Sequence, residues 1–304
     1  MKKKGEMTTQ QIVTLVILIA SFIVILFFIL RLNLGEETEK DVCHNSVITR
    51  GSSIVPAASV PLDCKRTYVC ITKDGTCENM TTKNEIKVKD KKEIFIALAN
   101  ELSDCWWMYG EGKINYAEDE SFSKLHCSVC SQIAFDDSVK DIIPSGNLSK
   151  KEFYQFLALE NKTEGETYSM YLFGTNDFAK NYPGEFGNIS LDEQYYVLTG
   201  ITSDVSTLSW IAIGAGLGIA VLATGGLAAL TFGGIAVAGG SGAVVGGLLL
   251  TPAAEKVGGI DGDFSFVAPI IKGETGNEYI IPSLVEADSE EFNSLNCKRL
   301  DSKG

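Results

Sequence analysis

Apolar and polar positions along the chain fall into three regimes. From Ile12 to Leu30 the stretch "IVTLVILIASFIVILFFIL" places nineteen apolar or small residues in a row without a charge. As a helix rising 1.5 Å per residue this run is ~28 Å long, enough to cross the hydrocarbon core of a bilayer. From residue 32 to residue 207 apolar positions alternate with charged ones in the periods of helices and strands. From Leu208 to Leu250 the chain is again uncharged, forty-three residues that include twelve glycines.

Within the middle regime, local patterns predict an α+β domain. "KRTYVCITKDGTCENMT" alternates around Asp74-Gly75, a pair suited to a two-residue turn, and predicts a β-hairpin that brings Cys70 and Cys77 together. "KKEIFIALANELSDCWWMYGEG" repeats apolar residues at Ile94, Leu98, Leu102 and Cys105, the signature of an amphipathic helix, and Gly110 can end it. "SKKEFYQFLALEN" opens on the capping box Ser149 to Glu152 and carries Phe153, Phe156 and Leu157 on one face. The aromatic and β-branched content of "ETYSMYLFG" and "EQYYVLTGIT", and of "DFSFVAPII" and "NEYIIPSLV" after the Gly-rich stretch, predicts strands.

Flanking charge orients the chain. Lys2, Lys3 and Lys4 precede the first apolar run and the acidic "GEETEKD" follows it, so the bias of basic residues toward the cytoplasmic side leaves the N-terminus inside and the bulk of the chain outside. "RLNLGEE" has no small-residue cleavage pattern, which predicts an uncleaved signal anchor over 12–31. Lys4 and Gly5 ahead of the apolar helix also resemble the prepilin-type signals of archaeal surface proteins, with Gln10 standing where pilins carry an acid.

Eight cysteines, at 43, 64, 70, 77, 105, 127, 130 and 297, all lie outside the two apolar runs. An even number in an exported region predicts a disulfide framework. Asn79, Asn147, Asn161 and Asn188 head glycosylation sequons, all between the two runs. The expected organisation is a cytoplasmic 1–11, a membrane anchor 12–31, an exported domain 32–207, a Gly-rich membrane hairpin 208–250, and strands and a short helix in 251–304 that rejoin the exported domain.

The net charge of −13 excludes a surface that gathers phosphate backbones, so no nucleic-acid partner is expected. Three readings of Cys127-x-x-Cys130 stand side by side: structural disulfides, a zinc site completed by His44 and His126, and a thiol-redox pair. Exported location favours the first. Glu111 and Asp104 are the carboxylates with a bearing on acid-base chemistry, and solvated helix ends explain both more simply. Trp106 and Trp107 are consecutive and cannot share one helix face, which predicts one in the core and one at its rim. No catalytic motif and no cofactor is implied.

The stretch "IAIGAGLG" imitates a dinucleotide turn, but the third glycine of that motif would fall at Ile219. A membrane accounts for the tract better: two helices of about twenty residues each, packed through Gly214-x-x-x-Gly218 and Gly242-x-x-x-Gly246 and turning between Gly225 and Gly234. A shallow re-entrant insertion and a hairpin buried in protein are the other readings of the same residues. The parity of seven cysteines before the tract and Cys297 after it predicts that Cys297 is bonded on the exported side.

"DCWWMYGEGK", "HCSVCSQIAFDD" and the upstream "PLDCKRTYVCI" resemble a family of membrane-anchored exported proteins of archaea with small genomes, over about Cys43 to Asp137. The resemblance implies an exported disulfide-containing domain and no activity. The function expected is a cell-surface structural or partner-binding protein whose partners are membrane lipid and a surface protein or a second copy. A pore-forming or bilayer-perturbing role of the Gly-rich tract is the alternative, and a thiol-disulfide oxidoreductase the third.

Overall fold

The computed structural model describes residues 9–31, 38–52, 59–77, 84–117, 125–181, 186–202, 220–222, 247–249, 270–272, 277–295, 297 and 299–300. The chain divides into two units, residues 1–41 and 42–304.

In the first unit the uninterrupted apolar run folds as α1 (Thr9–Arg31), a helix of 23 residues. Of its described side chains, Val13, Leu15, Ile17, Phe22 and Val24 are exposed large hydrophobics. Among the described residues no helix is long and apolar enough to cross a membrane; the continuous side chains described in α1, from Val13 to Val24, span about 18 Å of helix.

In the second unit, α2 (Thr38–Gly51) buries Cys43 and Val47. It is followed by β1 (Thr67–Thr72) and β2 (Asn84–Lys87). These two strands pair in parallel, Val69 opposite Asn84 and Thr72 opposite Lys87, so the hairpin expected around Asp74-Gly75 does not form. The turn itself is present but serves another end. Asp74 Oδ1 accepts hydrogen bonds from Thr72 Oγ1, Thr76 N and Thr76 Oγ1, each at 2.9 Å. The result is a closed loop between Cys70 and Cys77 rather than a strand return.

The amphipathic pattern at 91–108 forms α3 (Lys91–Met108), capped by Asp90, whose Oδ1 accepts from Glu93 N at 2.9 Å. Ile94, Leu98, Leu102 and Cys105 line its inner face with no exposed surface. It lies against strands β3 (His126–Phe135), β8 and β12, which are bounded below. A short ribbon strand β4 (Asn147–Ser149) leads into α4 (Lys150–Leu159), with Ser149 as the expected N-cap. Half of the capping box forms: Ser149 Oγ accepts from Glu152 N at 3.3 Å, while the Glu152 carboxylate turns to Lys91 instead of back to the cap.

After β5 (Asn161–Thr163) and β6 (Glu166–Thr167), the predicted strand "ETYSMYLFG" is instead helix α5 (Tyr168–Phe173). Its end signals outweigh its β-rich composition. Thr167 Oγ1 caps Met170 N at 3.1 Å, and Gly174 closes the helix in the left-handed region at φ 66°. The burial of Tyr168, Ser169, Leu172 and Phe173 follows a helical period. α6 (Phe178–Asn181) completes the layer, where Tyr154, Phe173, Phe178 and Phe186 pack ring against ring at 4.5–6.3 Å.

The remaining elements are β7 (Asn188–Ser190), β8 (Tyr195–Thr202), β9 (Ala220–Leu222), β10 (Gly247–Leu249), β11 (Ile270–Lys272), β12 (Glu278–Glu286), α7 (Glu290–Ser294) and β13 (Arg299–Leu300). One mixed sheet runs in the order β10-β9-β11-β12-β8-β3-β1-β2, with β13 beside the first residues of β3. Pro282 sits inside the central strand β12, where a missing N–H would break the ladder. The register slips between Ile280 and Ser283, and this bulge accommodates it.

Two parts of the Gly-rich tract are described, and both differ from the helical hairpin expected over 208–250. Ala220–Leu222 and Gly247–Leu249 are strands, paired antiparallel with each other, and the first also pairs in parallel with Ile270–Ile271. Uncharged Ala, Val, Leu and Gly suit a sheet edge as readily as a membrane helix, since periodicity alone does not separate a buried strand from a buried helix. Gly214, Gly218, Gly242, Gly246 and the turn at 225–234 lie outside the described residues, as does most of "DFSFVAPII".

Candidate functional site

The cysteines form four bridges among all eight: Cys43–Cys64, Cys70–Cys77, Cys105–Cys130 and Cys127–Cys297. The Cys127-x-x-Cys130 motif therefore does not bond to itself. It lies on strand β3, where side chains alternate between faces. Cys127 packs with Leu125, Val129 and Leu198 on one face, whereas Cys130 packs with Leu102, Cys105 and Ile133 on the other. A redox pair needs two sulfurs on one side, and a strand separates them.

The same geometry bears on the zinc reading. The Cys127 and Cys130 sulfurs are committed to other partners. His44 is on α2, stacked on Trp107 at 3.9 Å between centroids, with Nδ1 2.7 Å from the Trp107 carbonyl oxygen. His126 is buried at the start of β3. Among the described residues no group of three or more His, Cys, Asp or Glu side chains is arranged to hold a metal.

The tryptophans divide as their adjacency requires. Trp106 is buried and meets Tyr279 edge-on at 6.5 Å, while Trp107 is half-buried under His44. Immediately after them the backbone enters an uncommon conformation: Gly110, Glu111 and Gly112 all have positive φ, at 75°, 56° and 72°. For Glu111 this is a left-handed conformation that costs roughly 1–2 kcal/mol. Glycine suits position 110 for two reasons, because a Cβ there would also stand 2.7 Å from Ile114 Cδ1.

This turn aims the Glu111 carboxylate at α5. Oε1 accepts the Tyr171 hydroxyl at 2.7 Å and Oε2 accepts Lys113 Nζ at 2.6 Å. Lys162 Nζ lies 4.2 Å above the Tyr171 ring. Burial works to raise the Glu111 pKa, but the hydrogen bonds from Lys113 and Tyr171 outweigh it and hold the carboxyl below its ordinary value. Burial and the adjoining carboxylate push the Tyr171 phenol well up. A general acid needs a carboxyl raised toward the working pH, and Glu111 moves the opposite way. The cluster is a charged strut that ties the end of α3 to α5. Asp104 lies half-buried on α3.

Tyr171 and Lys162 were invisible in the sequence, because "ETYSMYLFG" reads as a strand that would not present Tyr171 to Glu111. The cap residues Thr167 and Gly174 are the signal that finds them.

Of the sequon asparagines, Asn147, Asn161 and Asn188 are exposed, and Asn79 lies outside the described residues. Two sequons pair with each other: Asn147 opposite Ser190 and Ser149 opposite Asn188, with Leu148 and Ile189 buried between them. No protein-family model, curated protein or solved structure matches the chain.

Proposed function

We propose that this is a membrane-anchored, exported protein whose disulfide-bonded domain acts as a structural or partner-binding element at the cell surface. The observation that carries the reading is the complete pairing of eight cysteines, including a bridge across 170 residues from Cys127 to Cys297. Such frameworks belong to oxidising compartments. Export also matches the exposure of three sequon asparagines.

The anchor rests on the apolar run from Ile12 to Leu30, the lysines ahead of it and the helical conformation of α1. The topology of the sheet supports placing the C-terminal segment with the exported domain. After Thr202 the chain rejoins the same sheet through β9, β10, β11 and β12. Glu278 of β12 stands between Thr202 of β8 and Lys272 of β11, one on each side, so the segments before and after the Gly-rich tract belong to one ladder. A segment that pairs in one sheet with β8 is expected on the same side of a bilayer as β8. Thiol exchange is disfavoured by the opposed faces of Cys127 and Cys130.

Non-reducing peptide mapping of the protein in native membranes, combined with alkaline carbonate extraction, tests the proposal. The expected result is four bridged peptide pairs, no labelled thiol and retention in the membrane pellet. Free thiols at Cys127 or Cys297, or release into the soluble fraction, would overturn it.

A further inference from the structure

The chain carries four glycosylation tripeptides, and the three that the structure describes are held in two different ways. Asn147 and Asn188 share the ribbon of β4 and β7, which is fastened to the core by the fully buried Leu148 and Ile189. The Asn147 Nδ2, the atom that would take a sugar, donates to the Ser145 carbonyl oxygen at 3.1 Å. The hydroxyl that completes this tripeptide is Ser149 Oγ, which caps α4 by accepting from Glu152 N at 3.3 Å. For Asn188 the hydroxyl is Ser190 Oγ, which accepts from Asp192 N at 3.2 Å, while Ser190 N donates to the Tyr195 hydroxyl at 2.7 Å. Both tripeptides are tied into the fold at the residue that completes them.

Asn161 is placed otherwise. Its tripeptide is strand β5, which returns as β6 through the two-residue turn Glu164-Gly165, with Gly165 at the positive φ of 85° that such a turn requires. Asn161, Thr163, Glu164 and Gly165 are all exposed. Lys162, between the asparagine and the threonine, is half-buried with its Nζ 4.2 Å from the Tyr171 ring centroid. Neither β5 nor β6 holds a buried residue, whereas β4 and β7 each hold one. A segment opens locally most readily where few apolar groups are buried, so this hairpin tip can enter an enzyme's site while the core stays folded.

We propose that Asn161 is the N-glycan acceptor of the folded exported domain, in preference to Asn147 and Asn188. The co-reactant is a sugar joined through its anomeric carbon to the phosphate of a lipid carrier, presented by a transferase on the exported side of the membrane. Asn161 Nδ2 bonds to the anomeric carbon, the carbon–oxygen bond to the phosphate breaks with its electron pair on the leaving phosphate, and the amide proton passes to a base of the enzyme. Thr163 Oγ1 supplies the hydroxyl that the acceptor tripeptide requires. A glycan is bulky and hydrated and needs an outlet to solvent, which the hairpin tip gives it. Asn147 and Asn188, by contrast, are diagonal neighbours on one face of their ribbon, about 7–8 Å apart, so a sugar on one obstructs the other. The inference rests on the export reading above and names the residue modified there.

The test is intact-glycopeptide mass spectrometry of the full chain isolated from native membranes, run beside the bridge map. The ratio of glycosylated to unmodified peptide at Asn161 should exceed the ratios at Asn147 and Asn188 at least tenfold. Thr163→Ala, which leaves the asparagine in place, should abolish the Asn161 glycopeptide, and Thr163→Ser should retain it. Ser149→Ala and Ser190→Ala, which remove the other two tripeptides, should leave the Asn161 ratio unchanged. An unmodified Asn161 in a protein with all four bridges complete overturns the inference and leaves the export reading standing. Occupancy at Asn147 or Asn188 equal to that at Asn161 also overturns it, because the fold then makes no selection. Where a variant does not fold, the wild-type ratios decide alone. Free thiols in the wild type remove the export reading and the inference with it.

Discussion

The two faces of strand β3 are held by different means. On the face under α3, Cys130 joins a continuous core that includes Ile94, Leu98, Leu102, Phe153 and Leu157, all nearly without exposure. On the opposite face, Cys127 belongs to a cluster that is small among the described residues, Leu125, Val129, Tyr196, Leu198, Ile280, Val285 and Leu295, covered by α7. A cluster of that size buries little apolar surface, and small cores lean on covalent closure. It is there that the longest disulfide loop is found. The irregular register between Val129 and Ser131 marks the point where β3 bends, beside the cysteine that faces α3. One short motif thus gives a bridge to each face, and the thin face depends on its bridge more than the thick one does.

The largest effect should come from opening the thin face. Removing Cys127–Cys297 by a double substitution to Ser releases a loop with a sequence separation of 170, worth about 5 kcal/mol by loop-closure entropy. Cys70–Cys77, with a separation of 7, is worth about 2.5 kcal/mol on the same scale. Denaturant unfolding of both double variants should rank them in that order, with hydrogen exchange rising in α7 and β13 only for the first. Equal costs would break the comparison, since the long bridge would then be incidental to the thin face.

Leucine truncations sharpen it from the packing side. Leu98 on α3 and Leu198 on β8 are both fully buried, one in each cluster. Leu98→Ala should fall near the upper end, and Leu198→Ala near the lower end, of the range of about 2–5 kcal/mol for such cavities, because a small peripheral cluster can collapse or admit solvent. A larger loss at Leu198, read from denaturant midpoints, would show that the second cluster is the firmer core. A smaller change probes the backbone there. A Cβ on Gly200 would stand 2.9 Å from the His126 carbonyl oxygen and 3.1 Å from Leu125 Cδ1. Gly200→Ala should therefore destabilise by about 1–3 kcal/mol, and a neutral melting temperature would mean that β3 and β8 can part at that level.

How much of this was legible depends on whether the signal was local. The period of α3 and the cap at Ser149 stand in the sequence because each rests on residues within a turn or two of one another. The existence of a bridge from Cys297 to the cysteines ahead of the Gly-rich tract follows from cysteine parity, but its partner does not, since eight cysteines admit many connectivities. α5 is not legible from composition, because its aromatic content points to a strand whereas the Thr167 and Gly174 caps decide for a helix. The parallel pairing of β1 with β2 was missed because Asp74-Gly75 closes a disulfide loop in place of a hairpin. The meeting of Arg66 with Tyr68 and Tyr196 is not legible, because Tyr196 is remote in sequence from the other two and reaches them only through the register of β1, β3 and β8.

The smallest expected effect distinguishes the charged strut from both faces of β3. Glu111 is partly exposed, so its tie to Lys113 and Tyr171 is screened, and on the order of 0.5 kcal/mol is a fair discount for such pairs. Its folded-state pKa is depressed, which fixes the sign. The contribution is fully present above the ordinary carboxyl range and is lost as pH falls through the lower, folded value. Wild-type stability should therefore carry an acid-side decline that Glu111→Gln flattens, and Tyr171→Phe should weaken the same decline by removing one of the two donors. Against this, Glu111→Gly relieves the left-handed backbone at φ 56°, so it should cost less than Glu111→Gln at neutral pH even though it removes the whole carboxylate. Urea midpoints for the three variants between pH 3 and pH 7 check the set. If Glu111→Gly proves the most damaging at neutral pH, the carboxylate contacts outweigh the backbone strain, and the strut is a stronger part of the α3 face than its exposure implies.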